Sequence, residues 1–197
     1  MLRAAKTLYA GLALTDAVLA ATGRDRARRV TKPLLMPVLG ASSDRPSQRA
    51  LALGWGGDVA LLGSSPAAFT TGLASFLVGH AAWIAAVRGR PGGGLLRRRP
   101  AAAVPYALAW AGLNGYLWSR TGRDRLPVLA YSGALAAMAL TALDSGDPRT
   151  AAGGALFMAS DSLLALERFG GVHLPLHEGL VMASYTAAQA LLASDAG

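Results

Sequence analysis

The sequence predicts an all-α protein: a polytopic transmembrane helical bundle of about eight helices, forming a single integral-membrane domain over 1–197. Three observations predict it. Hydrophobic residues make up 53% of the chain and charged residues only 15%, against about 25% charged residues in an ordinary soluble domain. Apolar runs recur along the whole length, separated by short polar joints. The basic residues collect in those joints, as in Arg24, Arg26, Arg28 and Arg29, and again in Arg97, Arg98 and Arg99.

The first run, Thr7–Thr22, follows Met1-Leu-Arg-Ala-Ala-Lys and has the outline of a signal peptide. Asp16 inside it is foreign to the apolar region of such a signal, so the run reads as a retained membrane helix. The second, Val30–Ala41, holds Lys32, Pro33 and Pro37, which suits a short, bent or re-entrant helix. Ala50–Gly63, Phe69–Val87, Ala101–Ser119, Leu126–Leu143, Ala151–Leu166 and Leu174–Ala193 complete the set. Several fall short of the ~20 residues that a perpendicular helix needs to cross a ~30 Å core, so their flanks supply the rest or the bilayer thins. Arg90-Pro-Gly-Gly-Gly reads as a flexible linker, and Asp144-Ser-Gly-Asp-Pro as a turn with Pro148 opening the next helix.

The 19 Lys and Arg residues bear on topology. If all eight runs cross, alternate sides carry 10 and 9 of them; if the second fails to cross, the split is 13 and 6. The asymmetry favours seven crossings with a short second helix. In either arrangement the Arg97–Arg99 loop and the C-terminus are expected to be cytoplasmic.

A net charge of +8 would suggest nucleic acid on a soluble protein. Here no aromatic residues interleave with the basic clusters as a base-stacking surface requires. Anchoring beside anionic membrane lipids is the simpler reading, and no nucleic-acid partner is expected. The chain has no cysteine, which removes disulfides, thiolate metal sites and a cysteine nucleophile together. The oligomeric state is open at this level.

An ionisable group inside a membrane helix is costly and usually faces the bundle interior or a wet cavity. Four stand out: Asp16, Asp58, His80 and Asp161. Asp58, in Gly54-Trp-Gly-Gly-Asp-Val-Ala-Leu-Leu, and Asp161, in Met158-Ala-Ser-Asp-Ser-Leu-Leu, are apolar-flanked and cannot easily reach a headgroup. Two carboxyls in one low-dielectric site repel when both are ionised, so one keeps a proton near neutral pH. That gives an acid and a base from one residue type. The competing reading is structural: each aspartate bonds a neighbouring helix or pairs with Lys32. Asp16 reads as structural. Tyr185 and Gln189, four residues apart, share a helix face and could line a polar pocket or bond between helices. Three scattered histidines, His80, His173 and His177, form no metal motif, and no metal is expected. No G-x-S-x-G elbow occurs, which argues against a serine hydrolase.

Five segments together resemble the YhhN family, the lysoplasmalogenases. They are Thr31-Lys-Pro-Leu-Leu-Met-Pro, Gly57-Asp-Val-Ala-Leu-Leu, Phe76-Leu-Val-Gly-His, Gly154-Ala-Leu-Phe-Met-Ala-Ser-Asp-Ser-Leu-Leu-Ala and Tyr185-Thr-Ala-Ala-Gln. They stand in family order over nearly the whole chain. The resemblance implies a membrane hydrolase, usually drawn with eight spans. It would cleave the vinyl ether of a lysophospholipid to a fatty aldehyde and glycerophosphoethanolamine or glycerophosphocholine, without a cofactor. It maps the family's acid/base aspartates onto Asp58 and Asp161. Lys32 is then expected near the substrate phosphate, with His80, Tyr185 and Gln189 as further substrate-binding residues. The sequence departs from the family at the Gly and Trp residues before Asp58, where serine and bulkier apolar residues are expected. The alternative from another class is a small membrane transporter or lipid-binding protein, since intramembrane carboxylates also couple protons.

Overall fold

The computed structural model describes residues 2–194, so the ends of the expected domain, position 1 and positions 195–197, lie outside the described residues. Among them every regular element is helical. Eight long helices, α1 (Leu2–Ala21), α2 (Asp25–Gly40), α3 (Arg45–Ala60), α4 (Pro66–Arg88), α6 (Val104–Leu117), α7 (Arg125–Asp144), α8 (Pro148–Arg168) and α9 (His177–Leu192), carry the architecture. A single turn, α5 (Leu95–Arg98), and two 3₁₀ turns, Pro100–Ala103 and Gly122–Asp124, lie in the joints.

Helix starts follow local chemistry. Asp44, Ser65 and Asp147 each accept a hydrogen bond from a backbone N–H of the first turn, and each is followed within two residues by a proline. The side-chain oxygen satisfies an orphan donor, and the proline occupies a position whose N–H has no helical partner. Asp147 also accepts from the Thr150 hydroxyl, and these bonds hold its carboxyl below the usual range.

The second segment departs from expectation. It is one continuous 16-residue helix, longer than the expected run, despite Pro33 and Pro37 inside it. Pro37 has no N–H to give the carbonyl of Pro33. The Trp55 indole on α3 takes that carbonyl instead, at 2.8 Å. Its Asp25 end lies at the mouth of the main cavity and its Leu39 end lines a groove at the opposite end of the molecule. The direction of the chain therefore reverses at every long helix, and the basic residues divide 10 and 9 between the two ends.

Neighbouring helices run α1–α2–α3–α4–α7–α8–α9, and α9 packs back on α1. Seven helices thus form a closed circuit, with α6 attached outside it against α7. Small residues allow the close approach. A Cβ on Gly154 would lie 2.7 Å from Ala142 and 3.1 Å from the Ala139 backbone, and one on Gly57 would lie 2.5 Å from the Phe76 ring. Hydroxyls bond across helices: Ser75 to the Leu53 carbonyl, Tyr9 to Thr186 and Ser160 to Val181. In lipid such contacts replace the hydrophobic drive that water would supply. At the end opposite the main cavity, the Arg90 guanidinium bonds Ser47, Thr150 and the Leu192 carbonyl, clamping α3, α8 and α9.

The core is apolar, yet large apolar side chains also face outward. Leu8, Leu14, Val18, Val30, Leu108 and Leu126 are all more than half exposed, while Asp16, Asp58, His80 and Gln189 are buried. Two helical stretches, Pro66–Arg88 and Gly122–Asp144, are long and apolar enough to cross a membrane.

Replacing Gly154 with alanine forces backbone apart at the α7–α8 contact. It is expected to destabilise the protein by about 1–3 kcal/mol. Gly112→Ala, where a Cβ meets nothing within 4 Å, should leave stability unchanged or slightly raised. Thermal unfolding of the two purified variants in detergent checks the contrast.

Candidate active site

A cavity of about 550 Å³ opens at the end where α2 and α9 begin and α3 and α8 finish. Asp58 and Asp161 both line it. Each comes from the half of its helix nearest the mouth, and the two arrive from different sides of the circuit, α3 and α8.

Their surroundings differ. Asp58 is 1% exposed. Its Oδ1 lies 3.4 Å from the Lys32 ammonium of α2, and its Oδ2 accepts the Tyr185 hydroxyl of α9 at 2.7 Å. Tyr185 in turn accepts from the Gln189 side-chain amide at 3.1 Å. The chain Gln189–Tyr185–Asp58–Lys32 spans three helices. Asp161 accepts the Tyr131 hydroxyl of α7, and no Lys or Arg pairs with it among the described residues. One carboxylate therefore has a counter-charge and the other has only a hydroxyl.

Behind the pair lies an aromatic cluster. Phe157 meets Phe76, Tyr185 and His80 edge-on, with centroids 6.5, 5.4 and 4.9 Å away. His80 also tilts against Tyr131 at 5.2 Å. Edge-to-face contacts of this kind add specificity of orientation to plain burial. The glycines before Asp58 belong to the same packing. Gly57 admits the Phe76 ring, and Gly54 admits the Gln189 amide, 3.3 Å from where a Cβ would stand. The segment that departs from the family pattern is thus the one on which α4 and α9 close.

The sequence-derived residues fall into three positions. Asp58, Asp161, Lys32 and Tyr185 line the cavity. Gln189 stands one layer behind, supporting Tyr185. His80 is also outside the lining: it is buried against aromatic rings, and neither ring nitrogen has a hydrogen-bond partner among the described residues. Lys32, expected at a phosphate, lines the cavity and lies 3.4 Å from Asp58. Asp16 ties α2 to α1, accepting the Thr31 hydroxyl at 2.5 Å beside the Arg28 guanidinium at 3.6 Å.

Sequence reading missed Tyr131, whose signal was a phenol inside an otherwise apolar run. It also missed Asn114 and Ser132, joined at 3.1 Å in the cavity wall. The groups lining the cavity include no cluster of three His, Cys, Asp or Glu able to hold a metal among the described residues.

The matching family model, the YhhN family, covers residues 27–196 and includes every residue named in this cavity. The chain belongs to the YhhN family. Two curated relatives, lysoplasmalogenases of Mycobacterium bovis and of Mycobacterium tuberculosis, are each 40% identical over 111 residues. Those residues cover 52% of this chain and 41% of each relative. The chain therefore matches less than half the length of these YhhN relatives. No solved structure matches it.

An exposed surface pair contributes little, but this one is largely enclosed, with side chains 12% and 2% exposed. Removing one member of a buried ion pair costs about 3–5 kcal/mol, because it strands the other charge. Lys32→Met and Asp58→Asn are each expected to lower stability by an amount of that order, and the double variant to recover most of it. Unfolding measured across the four proteins tests the coupling; additive losses would mean that the pair is not energetically linked.

Proposed function

We propose that this protein is a multi-pass membrane hydrolase that cleaves the vinyl ether of lysoplasmalogens to a fatty aldehyde and a glycerophospho-headgroup. The observation that supports it most is the pair of aspartates lining one cavity, one with a cation and one without. The names of the mycobacterial relatives point the same way. Eight crossings by one membrane domain fit the alternating helices and the apolar exterior. The mouth then lies on the side opposite the Arg97–Arg99 loop.

The asymmetry assigns the two roles. Lys32 and the Tyr185 hydroxyl both stabilise a negative charge on Asp58, which makes it the base. Asp161 has no cation and holds the proton, which makes it the acid; the Tyr131 hydroxyl fixes its orientation. In the reaction, Asp161 gives its proton to the outer alkene carbon. The inner carbon, bonded to oxygen, becomes an oxocarbenium ion that the Asp58 charge stabilises. Asp58 takes a proton from water as the water oxygen bonds to that carbon, forming a hemiacetal. The hemiacetal then loses its C–O bond to glycerol. Asp58 returns its proton to the departing glycerol oxygen, and the hemiacetal hydroxyl returns one to Asp161. One water is consumed, and both aspartates end as they began.

An acyl ester offers no alkene carbon to protonate. Purified protein in detergent should therefore release aldehyde from a lysoplasmalogen and little fatty acid from the matching acyl lysophospholipid. Asp58→Asn and Asp161→Asn should each lose at least ~100-fold in rate while remaining folded. Near-normal aldehyde release from either variant would refute the pair, fatty acid from the ester would mean a phospholipase mechanism, and no product from folded wild type would favour a transporter.

A further inference from the structure

The cavity wall made by α6 and α7 is apolar apart from three side chains. Leu113, Leu117, Val128 and Leu135 line it beside Tyr131, which holds Asp161, and the neutral pair Asn114 and Ser132. Ser132 accepts the Trp110 indole N–H at 3.2 Å. Its own proton has two acceptors, Asn114 Oδ1 and the Leu129 carbonyl, each at 3.1 Å. Asn114 gives one amide N–H to the Trp110 carbonyl at 2.8 Å. Only the amide nitrogen can meet that carbonyl, which fixes the orientation of the group. One N–H and at least one lone pair of Asn114 then have no protein partner among the described residues. The hydroxyls of α8 in the lining differ: Ser160 and Ser162 give their protons to the carbonyls of Val181 and Met158. A chamber for a hydrocarbon chain alone has no use for an amide here, because a polar group facing apolar surroundings has to find a partner. A free donor beside a free acceptor matches a hydroxyl, which both gives and takes a hydrogen bond.

We propose that Asn114 binds the glycerol hydroxyl next to the vinyl ether and holds it away from the cation formed there. This rests on the lysoplasmalogenase reading and deepens it. Once Asp161 has protonated the outer alkene carbon, two oxygens compete for the oxocarbenium carbon. One belongs to water. The other belongs to the hydroxyl on the adjoining glycerol carbon, which is tethered and therefore present at high effective concentration. If that hydroxyl bonds to the cation, its proton passes to Asp58 and a cyclic acetal closes. The acetal is an isomer of the substrate: no water is consumed, no C–O bond breaks and the aldehyde stays attached. A hydroxyl that gives its proton to Asn114 Oδ1 and accepts the amide N–H is turned toward α6 and cannot hand that proton to Asp58. Asn114 is thus a substrate-positioning residue that favours hydrolysis over cyclisation.

The test supplies a lysoplasmalogen to the full-length protein in nonionic detergent and follows aldehyde and cyclic acetal together by proton NMR, against a protein-free blank. Wild type should give aldehyde with little acetal. Asn114→Leu and Asn114→Ala, checked for folding by thermal unfolding, should each raise the acetal fraction about tenfold, the order expected for one lost hydrogen bond. Trp110→Phe removes the indole bond between α6 and α7 but leaves the Asn114 amide, so it should keep the wild-type product ratio. An equal rise of acetal in Trp110→Phe would assign the effect to the seating of α6 and overturn the proposal. A deoxy substrate lacking this hydroxyl should be used by wild type with a kcat/KM about tenfold lower, and Asn114→Leu should lose that preference. A further arm needs no reaction: a saturated alkyl lysophospholipid and its deoxy analogue are compared by calorimetry. Wild type should bind the hydroxyl-bearing lipid about tenfold more tightly, and Asn114→Leu should bind the two equally. An unchanged acetal fraction in the folded Asn114 variants would overturn the proposal, while wild-type aldehyde release left the reaction standing. Hydroxyl-dependent binding through Asn114, with no aldehyde from folded wild type, would uphold the hydroxyl site and refute the reaction.

Discussion

A carboxylate carried into an apolar helix bundle must find a counter-charge, a hydrogen-bond donor or a proton, because neither lipid nor packed side chains can solvate it. Much of this molecule is organised around that requirement. Lys32 is placed by α2, Tyr185 and Gln189 by α9, and Tyr131 by α7, so each aspartate draws neighbouring helices toward it. The glycines at 54 and 57 let the partners approach closely enough to meet it. Packing and polarity are here the same constraint: loosening either contact strands a buried charge.

The same requirement produces chemical inequality from one residue type. Two carboxyl groups share a cavity, yet a cation reaches only one. In the proposed reaction, supporting residues that would pass for structural features, the lysine and two phenols, divide acid from base. The ion pair is both a structural tie and a determinant of which oxygen can accept a proton, so the structural and catalytic readings of Asp58 are not rivals.

Much of this was legible in the sequence because burial of charge leaves a sharp trace. Asp58 and Asp161 are conspicuous in apolar surroundings, and Tyr185 and Gln189 are tied by helical spacing. The eight long helices follow from the apolar runs, though several start earlier: α2 begins at Asp25 and α3 at Arg45, because caps and charged first turns extend the helix beyond its apolar part. Three things were not legible. Pro33 and Pro37 suggested a broken segment, since nothing local shows that Trp55, on another helix, takes the orphaned carbonyl. His80 looked available because periodicity cannot tell a cavity wall from the aromatic layer behind it. Pairing of Lys32 with an aspartate was one reading, but which aspartate it meets was hidden because the partner is 26 positions away in sequence. Pairings between distant segments decide all three, and a single sequence does not encode them as a visible pattern.

The circuit of seven helices leaves α6 on one principal neighbour, α7, with Tyr116 bonding the Gly170 carbonyl as a further tie. Yet α6 contributes Leu113, Asn114 and Leu117 to the cavity wall. Every helix bearing an aspartate or one of its polar partners belongs to the circuit. Asn114 and Trp110 of α6 both bond Ser132 of α7, the neighbour of Tyr131, so α6 reaches Asp161 only through α7. The cavity thus has a wall on a helix that bears neither carboxyl nor any of their polar partners.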